Sequence, residues 1–137
     1  HIRMNKKKYP ETKKKEYWKK VLTKLEFDII INKGTERPFS GIYNNHYEKG
    51  IYKCKACGNK LYESENKFNS GCGWPSYDRN IKNSVSFEED LSLGMKRIEI
   101  LCSNCGGHLG HIFNDGPTET KKRHCVNSAS INFESKK

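Results

Sequence analysis

Cys54-Lys55-Ala56-Cys57 and Cys102-Ser103-Asn104-Cys105 are two CxxC pairs in a chain of 137 residues that holds six cysteines. Each pair bends back on itself, so both of its sulfurs face one ion. Two such pairs close a tetrahedral site with no open position, which is the pattern of a structural zinc. A redox reading of either pair would call for a thioredoxin-like βαβ pattern around it, and neither has one. Residues 58–101 separate the pairs, a longer excursion than a compact zinc ribbon makes. The ion is therefore expected to pin two strands or loops of a larger fold. Cys72 and Cys125 remain, free for chemistry.

Around these pairs the chain changes character at Gly34. Before it, residues 13–27 are expected to be helical: Trp18, Val21, Leu22 and Leu25 fall at helical spacing, with Thr12 as a candidate cap. Beyond it, glycines and prolines punctuate short β-rich pieces at 51–53, 84–87, 97–101, 109–113 and 130–133. Ile98 and Ile100 alternate with Arg97 and Glu99, as in a half-buried strand. The class is mainly β, antiparallel, with a helical N-terminus. The length suits one domain: a basic arm and helix over residues 1–25, then a β-rich body over 26–137.

The formal charge of +10 is unevenly spread. Residues 1–25 carry Arg3 and nine lysines against Glu11 and Glu16, and the rest of the chain is nearly balanced. Nucleic-acid recognition would place its cations among the zinc knuckles or on a recognition helix. The arm instead reads as a solvated lysine-rich extension. No apolar run is long enough to span a membrane, since the longest, at 27–31, is interrupted by Asp28. No apolar segment follows the first basic residues as in a signal peptide. A cytoplasmic protein is expected, since four of six thiols at metal spacing fit a reducing compartment better than a disulfide framework.

Cys72 lies in Ser70-Gly71-Cys72-Gly73-Trp74-Pro75-Ser76. Flanking glycines give a thiol that can travel to meet a partner, and Trp74-Pro75 offers an aromatic face beside it. The plain alternative is a small cysteine under a tryptophan core. Cys125 lies in Arg123-His124-Cys125-Val126-Asn127-Ser128. Strand alternation puts Arg123, Cys125 and Asn127 on one face. A cation favours thiolate there, and a donor holds the electrophile. The plain alternative is a core cysteine in a strand. His108-Leu109-Gly110-His111 supplies two imidazoles whose spacing does not place them on one face, unless Gly110 permits a bulge. They are candidate general acids.

Taken together these blocks resemble the methionine-R-sulfoxide reductases of the B type. The resemblance runs from Gly34-Thr35-Glu36-Arg37-Pro38-Phe39-Ser40-Gly41 to Ile131-Asn132-Phe133 and includes His108 to Pro117. It implies two antiparallel sheets with a structural zinc held by Cys54, Cys57, Cys102 and Cys105. It implies reduction of the R epimer of methionine sulfoxide, free or in oxidised proteins, with thioredoxin as electron donor. By position Cys125 matches the nucleophile and Cys72 the resolving thiol. His108, His111 and Asn127 match groups that handle the oxygen, and Trp74, Asp115 and Arg123 the rest of the substrate pocket. A monomer with no nucleic-acid or membrane partner is expected. Two positions depart from the family pattern: His124 stands where tyrosine or phenylalanine is usual, and Tyr77 where phenylalanine is usual.

Two other classes compete. A zinc-ribbon binding module explains the paired cysteines and the lysines but leaves Cys72, Cys125, Trp74 and the histidines without a task. A redox sensor explains Cys72 and Cys125 as a regulatory disulfide. Trp74, His111 and Asn127 favour an enzyme over both.

Overall fold

The computed structural model describes residues 9–136. Two short helices are followed by nine strands among these residues: α1 (Lys15–Val21), α2 (Lys24–Ile30), β1 (Gly50–Cys54), β2 (Lys60–Glu63), β3 (Lys67–Phe68), β4 (Ser76–Tyr77), β5 (Val85–Asp90), β6 (Arg97–Cys102), β7 (His108–Phe113), β8 (Arg123–Val126) and β9 (Ile131–Ser135). The strands form two antiparallel sheets, as expected. One has the order β2-β1-β9, the other β3-β4-β8-β7-β6-β5.

The single helix expected over 13–27 is two helices. Leu22 is extended (φ −105°, ψ 151°), and Thr23 starts α2 with a capping box. The Thr23 hydroxyl accepts from Glu26 N at 3.2 Å, and the Glu26 carboxylate accepts from Thr23 N at 3.0 Å. That reciprocal pairing satisfies two helix-end donors and outweighs continuing the first helix. The break also redirects the apolar stripe. Trp18, Leu22, Phe27 and Ile30 enter the core, while Val21 and Leu25 stay exposed. The residue-25 boundary falls inside α2.

Thr12 is not a helix cap. Its hydroxyl donates to Cys105 O at 3.4 Å, and Glu11 N donates to Asn104 O at 2.7 Å. The described part of the basic arm thus lies on the second cysteine knuckle rather than running free in solvent. The lysines at 6–8, with Arg3, lie outside the described residues.

The core is aromatic where the sheets meet. Tyr52, Tyr62 and Tyr77 are fully buried together with Leu61, Ile100, Leu109 and Val126. The Tyr62 and Tyr77 rings stack with centroids 4.2 Å apart. The half-buried pattern expected of β6 fails at Glu99, which is buried like Ile100 while Ile98 is only half-buried. β6 is an interior strand between β5 and β7, and Glu99 is held by Lys33 at 3.1 Å and His108 at 2.7 Å. A buried carboxylate persists only with such partners.

The first knuckle follows β1 and the second follows β6, so each comes from a different sheet. Their sulfurs meet: Cys54 and Cys105 are 3.7 Å apart, Cys57 and Cys102 3.6 Å, and all four lie within 4.8 Å of one another. With metal–sulfur bonds of about 2.3 Å a tetrahedron sets its sulfurs about 3.8 Å apart. The cluster therefore fits zinc. Asn104 Nδ2 points at Cys57 Sγ (3.3 Å) and Gly107 N at Cys105 Sγ (3.4 Å), donors that suit thiolates. Removing one ligand should loosen the junction of the sheets. Cys54→Ser and Cys105→Ser are expected to unfold far below the wild type in a thermal melt. The exposed change Val21→Ser should move the midpoint by less than about 2 °C.

Candidate active site

β8 lies between β4 and β7, and its register brings the site together. Cys125 pairs with Ser76 on one side and His111 on the other. The pairing is possible because residue 110 is a glycine: a side-chain carbon there would strike the Cys125 carbonyl. The sulfur of Cys125 faces Cys72 at 3.6 Å. Cys72 is placed by a loop whose two glycines both have positive φ, Gly71 at 76° and Gly73 at 100°. A Cβ on Gly73 would lie 2.7 Å from Pro38, so only glycine fits under the 35–41 loop. Ser70 Oγ is 2.9 Å from Cys72 Sγ, and Ser76 Oγ is 3.5 Å away.

The two sulfurs open on a cavity of about 230 Å³. Trp74, His111, Arg123 and Asn127 line it, as the sequence led us to expect. So do Gly110, expected only as a site for a bulge, and Thr35, Arg97 and Phe113, which it did not single out. Asp115 stands outside, holding Arg123 through two bonds of 2.8 and 3.1 Å. Arg123 also lies over the Phe113 ring at 4.5 Å. His108 does not reach the cavity. It is buried behind, bonded to Glu99, with its ring centroid 5.5 Å from that of His111. The expected bulge exists at Leu109, where Ile100 faces Gly110 and Leu101 faces His108. It brings the two imidazoles together without putting both in the cavity.

His111 Nε2 bonds Asp90 at 2.7 Å, and Asp90 also takes Arg97 at 3.4 Å. The His111 pair holds the Asp90 carboxyl below the usual carboxylate range. Burial lowers the His111 pKa, and the Asp90 bond works against that. Asn127 is more committed than expected. Its oxygen accepts from Glu36 N (3.0 Å) and its nitrogen donates to Leu109 O (3.1 Å). One N–H of its amide is left over. Trp74 is anchored on the same segment, its Nε1 donating to Glu36 O at 3.0 Å.

Glu36 is a residue that the reading of the sequence did not choose. It is buried, and its carboxylate accepts from Ser128 N (2.8 Å) and Ala129 N (2.9 Å). The signal lay in a charged residue within an otherwise turn-like segment, Gly34 to Gly41.

Cys72 and Cys125 share a proton. A hydrogen bond from Cys125 brings the Cys72 pKa down to about 4, and the same pairing pushes Cys125 up. Arg123 pulls Cys125 the other way, towards thiolate. Arg123 thus favours negative charge on the pair.

With this geometry in hand, comparison with known proteins decides the family. Residues 22–135 match the SelR domain. The chain belongs to the SelR-domain family. It is 54% identical over 122 residues to peptide methionine sulfoxide reductase MsrB of Methanosarcina barkeri, covering 88% of this chain and 86% of that protein. It is 50% identical over 127 residues to the MsrB of Leptospira interrogans, covering 92% and 97%. It is 51% identical over 116 residues to the mouse mitochondrial methionine-R-sulfoxide reductase B3, covering 84% of this chain and 46% of that one. The SelR family is thus one of oxidoreductases. No helix of the described residues is long and apolar enough to cross a membrane.

Tyr77 and His124, the two positions noted above, sit opposite each other, pairing across β4 and β8. His124 points away from the cavity, as strand alternation requires, and its Nδ1 meets Tyr62 OH at 2.9 Å. Burial lowers its pKa to about 4. The unfolded value is about 6.5, so between these pH values the unfolded chain binds more protons than the native one. The stability tied to a neutral His124 is complete above about pH 6.5 and falls as the pH drops towards 4. Against His124→Phe, the wild type should lose about 3 kcal/mol more over that range in denaturant melts. Activity at neutral pH should be retained in His124→Tyr.

Proposed function

We propose that this protein reduces the R epimer of methionine sulfoxide to methionine, with Cys125 as nucleophile, Cys72 as resolving thiol and thioredoxin as electron donor. The observation that carries the reading is the pair of sulfurs 3.6 Å apart at a cavity that also holds Trp74, His111 and Arg123. Sulfoxide sulfur is an electrophile whose oxygen is a poor leaving group, so the oxygen must gain a proton as sulfur is attacked.

Moving the shared proton from Cys125 to Cys72 arms Cys125, and Arg123 favours that arrangement. Cys125 thiolate attacks the sulfoxide sulfur. His111, oriented by Asp90, supplies a proton to the oxygen as that oxygen takes on negative charge. The face of Trp74 stabilises the sulfonium character that sulfur acquires. Methionine leaves, and Cys125 is a sulfenic acid. Cys72 then attacks Cys125 and hydroxide departs with the remaining proton as water, leaving a disulfide. An external dithiol reduces it. Chirality at sulfur enters because methyl must face Trp74 while oxygen faces His111. His108 and Glu99 hold the strand behind His111 rather than touching substrate, and Asp115 holds Arg123.

Zinc at Cys54, Cys57, Cys102 and Cys105 would serve the fold alone, since four thiolates leave it no open position. We place the working unit at Trp18 onward, because its indole is part of the core. Lysine-rich residues before it have no task in the chemistry.

Cys125→Ser should release no methionine from the R sulfoxide. Cys72→Ser should release about one methionine per chain and stop as a sulfenic acid that a dimedone-type reagent traps. With thioredoxin its steady-state rate should collapse. Normal cycling of Cys72→Ser with thioredoxin, or equal rates on the S epimer, contradicts the proposal.

A further inference from the structure

The cavity at Cys125 has a neighbour. Thr35 lines it and also lines a second, larger groove of about 530 Å³. Two stretches of chain run from one to the other. Thr35 continues into Glu36 and Arg37, and Asn127 continues into Ser128 and Ala129. α2 supplies one part of the groove wall through Leu25 and Glu26, and β9 another through Ile131 and Asn132.

The wall shared with the cavity is firmly built. The Glu36 carboxylate ties the 35–41 loop to the Ser128–Ala129 backbone, and Tyr43 N donates to Ser128 Oγ at 3.2 Å. A side-chain carbon on Gly41 would strike Ser128, so the loop lies directly on that turn. Above this base the groove exposes groups with nothing to do. Ile42 is 78% exposed and Leu25 59%. The Arg37 side chain has no hydrogen-bond or ion-pair partner among the described residues. The Lys55 side chain is held only by Glu26 among the described residues, at 3.8 Å.

A free methionine sulfoxide has no use for this space, because its side chain is accommodated at the sulfurs. A sulfoxide residue within a polypeptide brings flanking chain that must go somewhere. The groove continues the cavity and offers apolar contact together with an unpaired guanidinium. We propose that it holds the polypeptide next to the sulfoxide residue of an oxidised protein, and that acidic side chains in that flank are favoured. This rests on the reductase reading above and adds to it where the flanking chain lies and which flanking charge that site prefers.

The test compares three substrates: free methionine-(R)-sulfoxide, and pentapeptides with a central (R)-sulfoxide flanked on both sides by glutamates or by lysines. For the wild type, kcat/KM is expected to be roughly three- to tenfold higher with glutamate flanks than with lysine flanks. Arg37→Glu should abolish or invert that ratio, and 0.5 M salt should shrink it. Ile42→Asp should raise KM for both peptides. Neither variant should change turnover of the free sulfoxide, which doubles as the check on folding. A wild type indifferent to flanking charge overturns the proposal, as does an Arg37→Glu ratio like that of the wild type. Loss of free-substrate turnover in step with peptide turnover in both variants overturns it too. Failure of the wild type to reduce free (R)-sulfoxide would instead sink the parent reading.

Discussion

The close approach of β7 and β8 at Gly110 is the constraint on which the site depends. The Cys125 carbonyl occupies the space a side chain at residue 110 would need. With that contact made, Cys125 lies opposite His111 on one side and Ser76 on the other. Ser76 in turn lies near Cys72, so one register sets the distance between the two free thiols and the distance from them to the imidazole. A slip of one residue would turn Cys125 into the core and His124 into the cavity.

Electrostatics around the sulfurs follow a single plan. Cations line the cavity, and their carboxylate partners stand further out: Asp115 holds Arg123, and Asp90 holds both Arg97 and His111. A carboxylate placed directly on the sulfurs would oppose the thiolate that the chemistry needs. The outer carboxylates instead fix the geometry of the donors. Glu36 acts in the same manner on the backbone. Without it the N–H groups of buried Ser128 and half-buried Ala129 would be unpaired, at about 1–3 kcal/mol for the buried one.

Much of this was legible in the sequence, for identifiable reasons. Paired CxxC spacing fixed a four-sulfur cluster because the spacing itself dictates where thiolates point. The strand pieces at 97–101 and 109–113 were read from alternation and β-branched residues. The very short strands β3 and β4 carry two residues each and no period to detect. The helix break was present as Thr23-Lys24-Leu25-Glu26 but masked by an apolar stripe that ran through it. Long-range partners were out of reach altogether. Nothing local in Glu36 says that it will meet Ser128, and nothing in Asp90 says that it will meet His111. The placing of His108 behind the cavity depended on which residue of His108-Leu109-Gly110-His111 forms the bulge, and a sequence does not say.

The central claim is that Cys125 and Cys72 form one redox couple at this cavity while the four clustered cysteines take no part. Peptide mapping of wild-type protein after reaction with methionine-(R)-sulfoxide, in the absence of any donor, tests it most directly. The account predicts a single new disulfide joining Cys72 to Cys125, with Cys54, Cys57, Cys102 and Cys105 still reduced. A bridge from Cys125 to one of those four, or oxidation confined to the cluster, would contradict it.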